Sequence, residues 1–147
     1  MTPDRLKEIL DSVREQKDLR AEYGKTYCNI ALDRILGLYG VPRMTNPLTQ
    51  KPHLANDMID TMIACTNIWS RVNGDFACSR TSQGILVIAC QKLTTHGHLA
   101  PVYPLPMAFS PSWNKNVPML SNVGKRNDIL RASQCFRTEP DYFSVKI

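Results

Sequence analysis

Thr26-Tyr27-Cys28-Asn29-Ile30-Ala31-Leu32, running on to Tyr39-Gly40, reads as a helix that opens on a cysteine. Gly40 ends it in the usual C-terminal manner, and Pro42 prevents its resumption. Ile30, Ala31, Ile35 and Leu38 are the positions expected to be buried. Downstream the period changes. Ile85-Leu86-Val87-Ile88-Ala89-Cys90 is a continuous apolar run rich in β-branched residues, which predicts a central strand. His96-Gly97-His98-Leu99-Ala100-Pro101-Val102-Tyr103 then predicts a second strand over 98–103. Pro101 interrupts it, and proline is tolerated only at a sheet edge or a bulge.

Working outward, residues 2–17 predict a helix. Thr2 suits the N-cap, Pro3 the first helical position and Asp4 the first turn, and Leu6, Ile9, Leu10 and Val13 recur at helical spacing. Residues 17–25 read as a polar connection, and 41–52, with Pro42, Pro47 and Pro52, as a loop. Residues 54–64 support another helix, which 67–72 continues or follows, and 75–82 supplies one or two further helical turns. A proline-rich loop carries Pro104, Pro106, Pro111 and Trp113. Residues 117–123 predict a third strand, 128–136 are of mixed character, and 142–147 predict a closing strand. Helices first and strands later predict an α+β fold with N-terminal helices packed on an antiparallel sheet. With 147 residues and no repeat or linker, residues 1–147 read as a single domain.

The composition, 43% apolar and 21% charged, is that of an ordinary globular protein. No apolar run approaches the roughly 18 to 20 residues of a membrane span, so no membrane insertion is expected. Nor does the N-terminus read as a cleaved signal peptide. The expected route is synthesis in the cytoplasm, then action after lysis or delivery by a secretion system. Five cysteines, an odd number without zinc-like spacing, argue against a disulfide framework and a structural zinc site. The net charge of +5 is spread along the chain, with no basic run longer than Lys125-Arg126, which speaks against a nucleic-acid partner.

Cys28 is the candidate nucleophile, because a helix start favours thiolate over thiol. Of the three histidines, His98 follows a glycine and opens an apolar strand, whereas His53 and His96 lie in loops. Gly97 would let a substrate or a facing helix approach closely. The antiparallel neighbour of the histidine strand should end beside His98. That makes Asn122 the preferred orienting residue, with Ser121, Asn114 and Asn116 as alternatives. Trp113 and Tyr27 are candidate substrate-binding residues.

Tyr23-Gly24, Cys28-Asn29 at a helix start, and Gly97-His98-Leu99-Ala100 together resemble the NlpC-type and CHAP-type cell-wall peptidases over about residues 20–125. The resemblance implies a papain-like cysteine hydrolase that cuts an amide bond in peptidoglycan, as phage lysins and secreted antibacterial amidases do. It implies Cys28 as nucleophile, His98 as general base, no metal or organic cofactor, and a cognate immunity protein should the chain be a secreted effector. A monomer is expected. Tyr27 and Asn29 depart from the Asp and Ser that NlpC-type enzymes usually carry around the cysteine. The competing readings are a basic module that binds cell wall or nucleic acid without chemistry, and an acyltransferase on the same fold.

Overall fold

A computed structural model describes residues 1–146. The chain is α+β. Helices α1 (Pro3–Arg14), α2 (Cys28–Tyr39) and α3 (Ala55–Ala64) come first, then strand β1 (Trp69–Val72) and helix α4 (Gly74–Thr81). Strands β2 (Val87–Gln91), β3 (His98–Pro101), β4 (Ala108–Ser110), β5 (Lys115–Val117), β6 (Met119–Asn122) and β7 (Asp128–Arg131) follow. A short helix α5 (Ala132–Cys135) and strand β8 (Asp141–Val145) complete the described chain.

The main sheet has the order β1-β8-β2-β3, antiparallel throughout, with two-stranded sheets β4-β5 and β6-β7 beside it. The strand over 142–147 therefore does not close the sheet at an edge. It lies between β1 and β2, and Ile147 falls outside the described residues. Residues 67–72 supply β1 rather than more helix. The strand expected over 117–123 is two, because Pro118 separates β5 from β6 and cannot donate to a ladder. The mixed segment 128–136 resolves into β7 and α5.

Side chains alternate across the main sheet, as the pleat requires. Ile88, Cys90, Leu99, Phe143 and Val145 face α1, α2 and α3, while Val87, Ala89, Ala100 and Tyr142 face a second core with Leu120 and Phe136. Helix α1 begins as its residues dictate: the Thr2 hydroxyl accepts from the Arg5 N–H at 3.1 Å, and Leu6, Ile9, Leu10 and Val13 are buried. Helix α2 ends on Gly40 at φ 96°, a left-handed cap that glycine adopts without strain. Its buried stripe is Cys28, Ala31, Leu32, Ile35 and Leu36. Ile30 is only half-buried and Leu38 is 51% exposed, so the expected stripe was partly out of phase. The observed set follows the i, i+3, i+4, i+7, i+8 spacing of one helix face.

Strand β3 is an edge strand of the main sheet, which accommodates Pro101. The Val102 N–H donates to the Val87 carbonyl at 2.8 Å, so residues 98, 100 and 102 turn their backbone polar groups toward β2. Residues 99, 101 and 103 turn theirs outward. Tyr103 N–H finds the Met119 carbonyl of β6 at 2.8 Å, and an antiparallel bridge pairs Val102 with Leu120. Extending that register brings residue 124 opposite residue 98.

The turn between β2 and β3 is held by α3. Asn56 Nδ2 donates to the Leu93 carbonyl at 2.8 Å, and its Oδ1 sits against Gly97. A methyl group at Gly97 would collide with Asn56 Oδ1 and stand 3.1 Å from the Gln91 carbonyl. The facing helix is thus what the glycine admits. Gly97→Ala is expected to cost about 1–3 kcal/mol in chemical denaturation, the range for overpacking a filled site. Because Asn56 Oδ1 is the main obstacle, Gly97→Ala with Asn56→Ala should cost less than the sum of the two single changes. Additive losses would show that the two residues do not meet.

Candidate functional site

Cys28 is the first residue of α2 and is 7% exposed. Its sulfur lies against the backbone N–H of Leu99, which points outward from the edge of β3, and against the N–H groups of Asn29 and Cys28 itself. These donors favour the anion, but burial outweighs them and pushes the thiol above its ordinary value. The expectation of a thiol lowered by its helix start is therefore corrected. Such a position helps a thiolate only as far as solvent or a counter-charge also reaches it.

His98 opens β3, one residue before the N–H that meets the sulfur. Its Nε2 is 2.7 Å from Asn122 Oδ1. The amide is oriented by its other end, since Asn122 Nδ2 donates to the Arg126 carbonyl at 2.7 Å. With the oxygen so directed, Nε2 must carry the proton, and Nδ1 keeps the lone pair. Burial pushes the His98 pKa below its ordinary 6.5, and the bond to Asn122 partly opposes this. At neutral pH Cys28 is thus a thiol and His98 a neutral imidazole. Phe136 buttresses the ring at 5.2 Å between centroids, tilted by 50°. Gly124 leaves room on the opposite strand, where a Cβ would stand 3.3 Å from His98 Cε1 and from Asn122 Nδ2. Neither Phe136 nor Gly124 stood out in the sequence, although the Ser121-Asn122-Val123-Gly124 run carries the glycine at the register position opposite His98.

The other candidates for the orienting role lie elsewhere. Ser121 Oγ accepts from Arg14 Nη1 at 2.9 Å, while Asn114 and Asn116 are exposed in and beside β5. Trp113 is half-buried against the second core and lines a depression with Ser112 and Ser133 that shares Phe136 and Arg137 with the cleft onto which His98 opens. Tyr27 precedes α2 and packs on the first core, its carbonyl accepting from Ala31 N–H at 3.0 Å. Tyr23 is 95% exposed at the tip of a tight hairpin, at φ 49° beside Gly24 at φ 76°. It supplies nothing to the site.

His98 and Asn122 open onto a cleft of about 1090 Å³, lined also by Thr26, Gln91, Gly97 and Phe136. An exposed His96 stands at its rim, while His53 is half-buried and its carbonyl accepts from Asn29 Nδ2 at 3.0 Å. All five cysteines are free thiols. Burial holds Cys90 and Cys135 up at about 12 and Cys78 at about 11. Among the described residues no group of three or more His, Cys, Asp or Glu is placed to hold a metal, and no helix is long and apolar enough to cross a membrane.

Two-dimensional NMR of the imidazoles should show His98 titrating below 6.5, with its proton on Nε2 above that pH. Asn122→Ala removes the bond that favours the charged ring, so it should lower the His98 pKa further. A rise in that variant would sink the assignment. The folded-state value lies below the unfolded one, so the unfolded chain binds more protons in the window between them. This group's contribution is therefore constant above 6.5, and stability falls as pH drops from there through the folded pKa. A scan against protein-family models finds no match to this chain, and a search of curated proteins finds none either.

Proposed function

We propose that this protein is a papain-like cysteine hydrolase that cuts an amide bond in the stem peptide of peptidoglycan. The observation that carries the reading is the 2.7 Å bond from His98 Nε2 to Asn122 Oδ1, on a strand that packs against the helix Cys28 opens. A helix-start thiol, a strand imidazole and an amide that fixes its tautomer are the three parts such a hydrolase needs.

In this mechanism His98 Nδ1 takes the thiol proton as Cys28 Sγ attacks the peptide carbonyl. Burial disfavours both charged groups in the resting pair, so the proton moves during attack rather than before it. The tetrahedral oxygen is stabilised by the Cys28 N–H at the head of α2. Protonated His98 then gives its proton to the leaving amine, and the C–N bond breaks to leave a thioester. Water, deprotonated by the same nitrogen, hydrolyses the thioester and returns the free thiol. Asn122 acts as a positioning residue throughout.

The burial of Cys28 favours one rival, a basic binding module without chemistry. Incubating purified peptidoglycan with wild-type and Cys28→Ala protein, with muropeptides resolved by mass spectrometry, separates the two. Cleavage by wild type alone is expected, and it would identify the bond. No cleavage by either folded protein would favour the binding module.

The pH profile carries a second expectation. Since neutral His98 is the base, kcat/KM should rise with pH through a midpoint below 6.5 and stay level across neutrality, where the Cys28 thiol keeps its proton. Asn122→Ala should lower the plateau by about 10²-fold, the usual cost of misplacing a reacting group by an ångström, and move the midpoint to lower pH. An unchanged profile in that variant would show that the amide orients nothing of consequence.

A further inference from the structure

We propose that the cleft beside His98 takes acidic peptides, and that Lys125 and Arg137 hold their carboxylates. The proposal deepens the hydrolase reading and rests on it for the choice of a peptide as ligand.

Every formally charged side chain lining the cleft is a cation: Lys92, Lys125, Arg126 and Arg137, with no aspartate or glutamate among them. In a chain with 18 Lys and Arg against 13 Asp and Glu, a wall of one sign is a local concentration that the sequence disperses. Two of the four are already engaged. Lys92 Nζ meets Asp60 at 2.7 Å, and Arg126 Nη2 meets Asp128 at 2.9 Å. Lys125 and Arg137 are exposed, and neither has an ion-pair partner among the described residues. A concave wall of one sign focuses its field on the space it encloses.

Their positions give the inference its direction. Lys125 follows Gly124, whose backbone leaves room for the His98 ring. Arg137 follows Phe136, whose ring packs against the same imidazole. Each free cation is therefore one residue from a group touching His98, and the two come from different elements, the β6–β7 turn and the end of α5. A substrate amide presented to His98 would carry its neighbouring side chains toward them. Peptides with carboxylates near the scissile bond would bring them to this wall, and lysine and arginine both bind carboxylates through charged hydrogen bonds.

Nucleic acid matches less well. Apart from its histidines, the cleft has one aromatic lining residue, Phe136, and that ring is buried against His98 rather than open for stacking. Two free cations also neutralise few phosphates, whereas single-strand binders combine a long basic track with exposed aromatic faces.

The test uses full-length Cys28→Ala protein, which cannot turn over its ligand, in calorimetric titrations. One probe is a stem tetrapeptide with free carboxylates on its second and third residues. The other is the same peptide with both carboxylates amidated. The free peptide is expected to bind at least about 10-fold more tightly, the size of one charged hydrogen bond. Lys125→Gln and Arg137→Gln should each weaken it about 10-fold, and Lys51→Gln, at an exposed residue outside the cleft lining, should leave it unchanged.

Equal affinity for the two peptides would overturn the proposal. So would affinity unchanged in both cleft variants, absence of binding, or tighter binding of a single-stranded oligonucleotide. Cleavage by wild type is read separately. Wild type cutting both peptides equally, with equal binding, would keep the hydrolase and reject the acidic subsite. Charge-dependent binding without cleavage of either peptide would keep the subsite and reject the hydrolase.

Discussion

The outer edge of β3 is the constraint from which the rest of the site follows. An edge strand carries outward-pointing N–H groups that must be paired, covered or removed. Here each outward position has a different solution. Pro101 has no N–H to offer, Tyr103 donates to Met119 of β6, and the Leu99 N–H meets the Cys28 sulfur. Strand β6 covers the edge at Tyr103 and carries Asn122 past His98. Thiol, imidazole and amide are thus gathered by the covering of one strand edge.

Burial then sets the charge state of what has been gathered. It acts against ionisation on both Cys28 and His98, and the local N–H donors and the Asn122 oxygen only partly offset it. A thiol so buried keeps its proton, which protects it from adventitious oxidation, since the thiolate is the reactive form. The cleft outside is the reverse: solvated, cationic and without carboxylates.

Much of this was legible in the chain, for identifiable reasons. The ends of α2 followed from Cys28 after a polar loop and from Gly40, whose left-handed cap is a local property. Asn122 followed from antiparallel geometry, because a partner strand must return beside the residue that opens its neighbour. What failed depended on tertiary context. Leu38 and Leu36 are equally apolar, and only the packed face decides which is buried. No local pattern announces the four-residue helix α5, along which the depression beside Trp113 meets the cleft. Cys28 kept its place and lost its expected acidity, because helix position is written locally and burial is not. The cationic wall was hidden for a similar reason: its residues come from three separate segments that only the fold brings together.

Asparagine does much of the joining. Asn29 Nδ2 donates to the His53 carbonyl, Asn56 to Leu93, Asn122 to Arg126, and Asn127 to Leu19 at 2.8 Å. Each amide ties a segment around the site to a carbonyl distant in sequence or across a turn. Asn122 and Asn127 each use both ends, accepting with the oxygen while donating with the nitrogen: Asn122 from His98, and Asn127 from the Gly124 N–H at 3.0 Å. An aspartate in either place would accept but no longer donate, and would add a negative charge beside a wall that has none. A carboxylate at position 122 would also favour the protonated form of His98. The choice of amide over acid therefore keeps three things consistent: the anchored loops, the neutral imidazole and the uniformly positive cleft.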